Sequence, residues 1–133
     1  MTPREIAAAF VEAVNSHAPD RLAALMSEDH VFVDSDGTRL QGRVRLQQVW
    51  REYFAMVPDY HILVEETLAQ GPTVVLLGEA EGTFVREGRL EAKNHWHVPA
   101  AWRVVVKDDK VEVWQLYVNP EPMGRAFNRA RED

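Results

Sequence analysis

Residues 73–86, TVVLLGEAEGTFVR, decide the fold. The even positions are Val74, Leu76, Gly78, Ala80, Gly82 and Phe84, whereas the odd positions include Glu79, Glu81 and Thr83. Side chains alternate across a strand, so this period of two predicts a half-buried β-strand with its even face inward. The same period continues on both sides, with further strands expected at 60–69, 92–107 and 110–118. In the stretch 92–107 the apolar set is Trp96, Val98, Ala100, Trp102, Val104 and Val106, and in the last it is Trp114, Leu116 and Val118. The separators are short (Gln70-Gly71-Pro72, Arg86-Glu87-Gly88-Arg89, Lys107-Asp108-Asp109), which implies antiparallel hairpins.

Upstream the period changes to that of helices. Thr2-Pro3-Arg4-Glu5 spells a helix start with a capping box, and Ile6, Ala9, Phe10, Ala13 and Val14 form one apolar stripe. Asn15 to Pro19 interrupts it, and a short second helix is expected from Asp20 to about Met26. Val31–Asp34 reads as a brief strand ended by the turn formers Ser35-Asp36-Gly37. A third helix is expected over Arg43–Met56, with Leu46, Val49, Trp50, Tyr53, Phe54 and Val57 facing in and Pro58 ending it. Helices first and long strands afterwards define an α+β class with the helices on one face of a curved sheet. Residues 129–133 are expected to be a frayed tail.

The chain has 133 residues, a length suited to one domain over 1–133. Its net charge is −6, which removes the electrostatic attraction on which non-specific nucleic-acid binding depends. It contains no cysteine, so thiolate metal sites and cysteine nucleophiles are excluded. No run approaches the roughly 18 apolar residues of a membrane span, and the N-terminus lacks the pattern of a signal peptide. A cytoplasmic protein with no nucleic-acid or membrane partner is expected.

Two features point to a site. Gly78, Ala80 and Gly82 are consecutive inward positions with almost no side chain, beside inward tryptophans. They either leave room for a small-molecule pocket or mark close backbone approach and a bulge. Asp34 shares strand parity with Phe32, so it either faces an aromatic cavity as a candidate general base or caps the turn that follows it. His95 and His97 lie on the outer face, where a polar surface or subunit interface is expected and no metal is assigned. His30 is expected at the surface, and Glu66 at a cavity mouth or in solvent.

The stretches SEDHVFVDSDG, LQGRVRLQQVWREYF and AAWRVVVKDDKVEVWQLYVN, in this layout, resemble the SnoaL-like and ketosteroid-isomerase-like proteins of the nuclear transport factor 2-like superfamily. The resemblance covers about Glu5 to Pro122. It implies a cone-shaped fold in which three N-terminal helices pack on a strongly curved, mixed, mostly antiparallel sheet. Carried over by position, the isomerases' catalytic aspartate falls on Asp34. Their oxyanion donors fall on Phe10 and on Ala101, or Trp102 with a slip of one residue, none of which offers a side-chain hydrogen bond suited to that role. Ordinary steroid isomerisation is therefore not expected. The final-strand acid of the cyclase and epoxide-hydrolase relatives falls on Leu116.

The resemblance thus implies a small-molecule-binding protein, an isomerase, cyclase or hydratase/hydrolase with Asp34 as general base and no metal or organic cofactor. Its pocket would be walled by Phe10, Phe32, Trp50, Phe54, Gly78, Ala80, Gly82, Trp102, Trp114 and Leu116 and would take an apolar or cyclic organic molecule. The alternative is a non-catalytic ligand-binding or dimerisation module of the same fold. A homodimer through the outer sheet face is expected in either case.

Overall fold

The computed structural model describes residues 1–132. The chain begins with α1 (Pro3–Asn15), whose capping box forms as the sequence spells it: the Glu5 amide donates to Thr2 Oγ1 (3.2 Å) and the Thr2 amide to Glu5 Oε1 (2.9 Å). Ile6, Ala7, Phe10, Val11, Ala13 and Val14 are its buried face. The chain then passes through α2 (Pro19–Leu25), β1 (Met26–Val33), β2 (Arg39–Gln41) and α3 (Arg43–Met56). Four long strands follow, β3 (His61–Gln70), β4 (Thr73–Arg86), β5 (Arg89–Lys107) and β6 (Lys110–Val118), and a last helix, α4 (Glu121–Arg131).

The six strands form one sheet in the order β2-β1-β6-β5-β4-β3. β3 to β6 are joined as antiparallel neighbours, and β1 lies parallel to β6, making the sheet mixed. The even face of β4 and β5 is the inner one, carrying buried Val74, Leu76, Ala80, Phe84, Trp96, Val98, Trp102 and Val104. Helices α1, α3 and α4 pack on the concave side of the sheet, α4 against β4 and β5. Asn15, at the end of α1, ties it to the edge strand: its amide donates to the Ile62 carbonyl (2.9 Å) and its oxygen accepts from the Ile62 amide (2.8 Å).

Four elements differ from expectation. β1 starts five residues earlier than predicted, because its pairing with β6 is irregular between Met26 and Val31 and its middle residues Glu28 and Asp29 are exposed, which breaks the alternation. β2 has only three residues, too few for a period to show. β5 begins at Arg89 rather than 92. Residues 129–131, expected to fray, form the last turn of α4, with Ala126 and Ala130 buried. Pro120, Pro122 and Gly124 hide this helix in the sequence, although proline is well tolerated in a first helical turn. Asp133 lies outside the described residues.

Candidate functional site

Asp34 stands just past β1, where the chain turns toward β2. Its amide donates to the Thr38 carbonyl (2.8 Å) and its carbonyl accepts from Gly37 (2.9 Å), closing the turn. Its Oδ1 accepts the Ser35 amide at 2.7 Å, and the side chain is exposed. Of the two readings open in the sequence, the carboxylate makes the turn-capping contact, and it meets solvent rather than an enclosed apolar cavity. Phe32, two residues back, is half-buried against the core.

The glycine row is occupied. A Cβ added at Gly78 would lie 1.9 Å from the Leu63 carbonyl oxygen, where β3 carries a bulge between Val64 and Glu66. One added at Gly82 would lie 2.4 Å from Val57 Cγ1 and 3.2 Å from the Trp96 ring. The small residues therefore let a neighbouring strand and the end of α3 approach the sheet. Phe10, Trp102 and Trp114 are fully buried and touch in sequence, with ring centroids 4.6 Å apart for Phe10–Trp114 and 6.2 Å for Trp102–Trp114. Trp50 and Phe54 join this cluster from α3, and Leu116 packs half-buried at its edge.

An aromatic line continues from this cluster along the inner face. Trp50 meets Tyr53 edge-on (6.2 Å), Tyr53 meets Tyr60 (5.0 Å), Tyr60 meets Trp96 (5.8 Å), and Trp96 meets Phe84 (6.2 Å). Burial pushes the phenol of Tyr53 well above its ordinary pKa, and the nearby Tyr60, Asp34 and Asp59 add to the shift. Burial likewise raises Tyr60. Both phenols therefore stay protonated at neutral pH, and Tyr53 sits within electrostatic reach of the Asp34 carboxylate. In the sequence Tyr53 and Tyr60 read as core that could also line a cavity entrance. Their grouping with Asp34 follows from the placement of α3 beside the end of β1, which no local pattern announces.

His30 is fully buried, not at the surface. One ring nitrogen, Nδ1, lies 2.7 Å from the Val111 carbonyl, the ring stacks on Phe10, and burial holds its pKa below the ordinary value despite that bond. On the outer face His95 pairs with Glu81 (3.2 Å) and His97 with Glu79 (3.1 Å). Among the described residues no group of three or more His, Asp or Glu side chains is arranged to hold a metal ion. Two surface depressions flank this area. One, of about 820 Å³, is wide open and lined by Glu66, Leu77, Pro99, Ala101, Tyr117 and Asn119 among others. The other, of about 250 Å³, lies between His61, Leu63, Glu79, Glu81 and His97.

A curved mixed sheet wrapped around α1 and α3, with an aspartate at the end of β1 and an aromatic inner face, defines a ketosteroid-isomerase-like α+β cone. The SnoaL-like domain family matches residues 7–114, and the chain belongs to that family. No curated protein matches the sequence significantly. Among solved structures, a provisionally assigned SnoaL-like polyketide cyclase of Shewanella denitrificans OS-217 superposes with a TM-score of 0.82 at 16% identity, over 96% of this chain and 97% of that one. A protein of ketosteroid-isomerase-like fold from Catenulispora acidiphila DSM 44928, in complex with trimethylamine, gives 0.80 at 20% identity and 99% coverage of both chains. An LEH-like epoxide hydrolase of M. tuberculosis gives 0.79 at 16% identity, over 97% and 91%. At such identities the likeness carries the fold and leaves the chemistry to the residues. Among the described residues no helix is long and apolar enough to cross a membrane.

Proposed function

We propose that this SnoaL-like protein binds a small cyclic organic molecule carrying a carbonyl or similar acceptor, and that Asp34 acts on it as general base. What supports this is that α3 packs against β1 and that the Asp34 carboxylate acts electrostatically on the Tyr53 phenol, which stays protonated. A base and a neutral hydroxyl donor that reach one ligand supply both halves of enolisation: Asp34 takes the proton next to the carbonyl, and Tyr53 donates a hydrogen bond to the oxygen that gains charge. Tyr53 would thus take the part that Phe10 and Ala101 leave vacant.

5-Nitrobenzisoxazole is a suitable probe, because removal of one C–H proton breaks its N–O bond and releases a coloured phenolate. Asp34→Asn should lower its turnover by roughly 100-fold or more, the usual scale of general-base catalysis, and Tyr53→Phe by a smaller factor. Turnover unchanged by Asp34→Asn would refute the catalytic reading.

A second reading, a non-catalytic binding or dimerisation module, is favoured by a specific observation: the Asp34 carboxylate is engaged with the Ser35 amide, and Trp114 is packed against Phe10 and Trp102. For this reading the outer sheet face is the surface of interest, and we propose that it pairs with a second copy. Tyr117 is 52% exposed and Leu63 50%, both on that face.

A further inference from the structure

We infer that the inner face beneath α4 holds a polar subsite, built by Asn94 and Trp96, that reads the amide edge of a planar lactam or imide. The inference deepens the small-molecule reading above: it rests on the inner face taking an organic ligand, but not on catalysis by Asp34.

Asn94 is fully buried, yet neither its amide nitrogen nor its oxygen has a hydrogen-bond partner among the described residues. Two residues on, Trp96 is also buried, and its indole Nε1 has no partner either. Alternation places the two side chains on the same face of β5, about 7 Å apart along the strand. Three polar atoms left unpaired together in a protein interior are uncommon, because each forfeits its bonds to water on folding. Here the unpaired set has a definite character. Asn94 offers one donor group and one acceptor side by side, and Trp96 adds a donor.

The surroundings are aromatic and flat. Tyr60 lies 5.8 Å from the Trp96 ring and Phe84 6.2 Å, and Phe127 of α4 meets Phe84 edge-on at 5.4 Å. The register of β4 with β5 breaks between Thr83 and Val85, opposite this point. α4 is held here by small residues, Ala126 and Ala130, and by the bond from Arg129 Nε to the carbonyl of Lys93, the residue before Asn94.

A ligand that satisfies this set is a planar ring with an acceptor next to an N–H. Its N–H meets Asn94 Oδ1, its carbonyl accepts from Asn94 Nδ2, and a further acceptor takes the Trp96 indole N–H. The Tyr60, Phe84 and Phe127 rings supply the apolar walls. Hydrocarbons of the same shape, or N-methylated lactams, leave the asparagine unpaired and are rejected.

The test is an NMR titration of the full chain with isatin, a planar lactam carrying a second carbonyl, and with N-methylisatin as the control. The Trp96 indole N–H is identified by its loss in Trp96→Phe. Isatin should shift that resonance and the Asn94 side-chain amide, and should bind at least tenfold more tightly than N-methylisatin. Asn94→Leu and Trp96→Phe should each weaken isatin at least tenfold. Asn94→Leu should also raise the unfolding midpoint by roughly 3–6 °C, since it removes two unpaired polar atoms. No shift at Trp96, equal binding of the N-methyl compound, or undiminished binding by Trp96→Phe would each overturn the inference, and Trp96→Phe decides if Asn94→Leu fails to fold. Failed isatin binding with intact Asp34-dependent turnover removes this inference alone. Isatin binding without such turnover removes only the catalytic reading.

Discussion

Gly82→Ala tests whether the glycine row of β4 is a packing device or a pocket wall. The new methyl would sit 2.4 Å from Val57 Cγ1 and 3.2 Å from the Trp96 ring. Real carbons do not approach so closely, so Val57 or the end of α3 must move. Overpacking of this kind costs about 1–3 kcal/mol, against a gain of about 0.5–1 kcal/mol from replacing glycine within a strand. The expected net loss is ~1–2 kcal/mol. Val57→Ala alone should cost about 2 kcal/mol, as two buried methyl groups leave the core. The double variant should be more stable than the sum of the two losses by about 1–2 kcal/mol, because the shortened side chain vacates the space that the new methyl needs. Urea unfolding of the four proteins measures this, provided the slope with denaturant stays constant. If Gly82→Ala is neutral or stabilising and shows no coupling to Val57→Ala, the space beside Gly82 is open in solution and the pocket reading of the glycine row returns.

The other predictions concern pH and assembly. His30 is buried with its pKa held down, so below the ordinary histidine range the unfolded chain binds a proton that the folded one does not. Stability should therefore be full above about pH 6.5 and fall as pH drops below it, and His30→Gln should lose the part of that slope due to this group. Denaturant midpoints measured from pH 7.5 to 5 check this, and an identical slope in His30→Gln refutes it. Tyr117→Glu places a charge on the proposed dimer face and should convert a dimer to a monomer in sedimentation velocity. A wild-type protein that is monomeric at high micromolar concentration would refute that interface.

How much could be read beforehand varies by element. α3 was legible to the residue, since its stripe from Leu46 to Phe54 is long and Pro58 follows it. The strand meander was equally plain, because alternation over 14 residues of β4 and most of β5 has no helical counterpart. β2 and α4 were not, one being too short for any period and the other hidden behind prolines. His30 was misplaced because its neighbours Asp29 and Glu28 are exposed. Only the parallel pairing of β1 with β6 buries the ring and gives it the Val111 carbonyl.

The candidate site divides in the same way. The sequence by itself carried the resemblance to the SnoaL-like class, and local pattern and strand parity gave the aspartate after the first strand and an inner face rich in aromatics. Only the tertiary structure decided that Val57 and Leu63 occupy the space beside Gly82 and Gly78, that the Asp34 carboxylate acts electrostatically on the Tyr53 phenol, and that Asn94 and Trp96 lie buried and unpaired beneath α4. Parity states which way a side chain points, but what it meets there is set by residues 15 to 81 positions away, brought close only when the sheet curves around its helices.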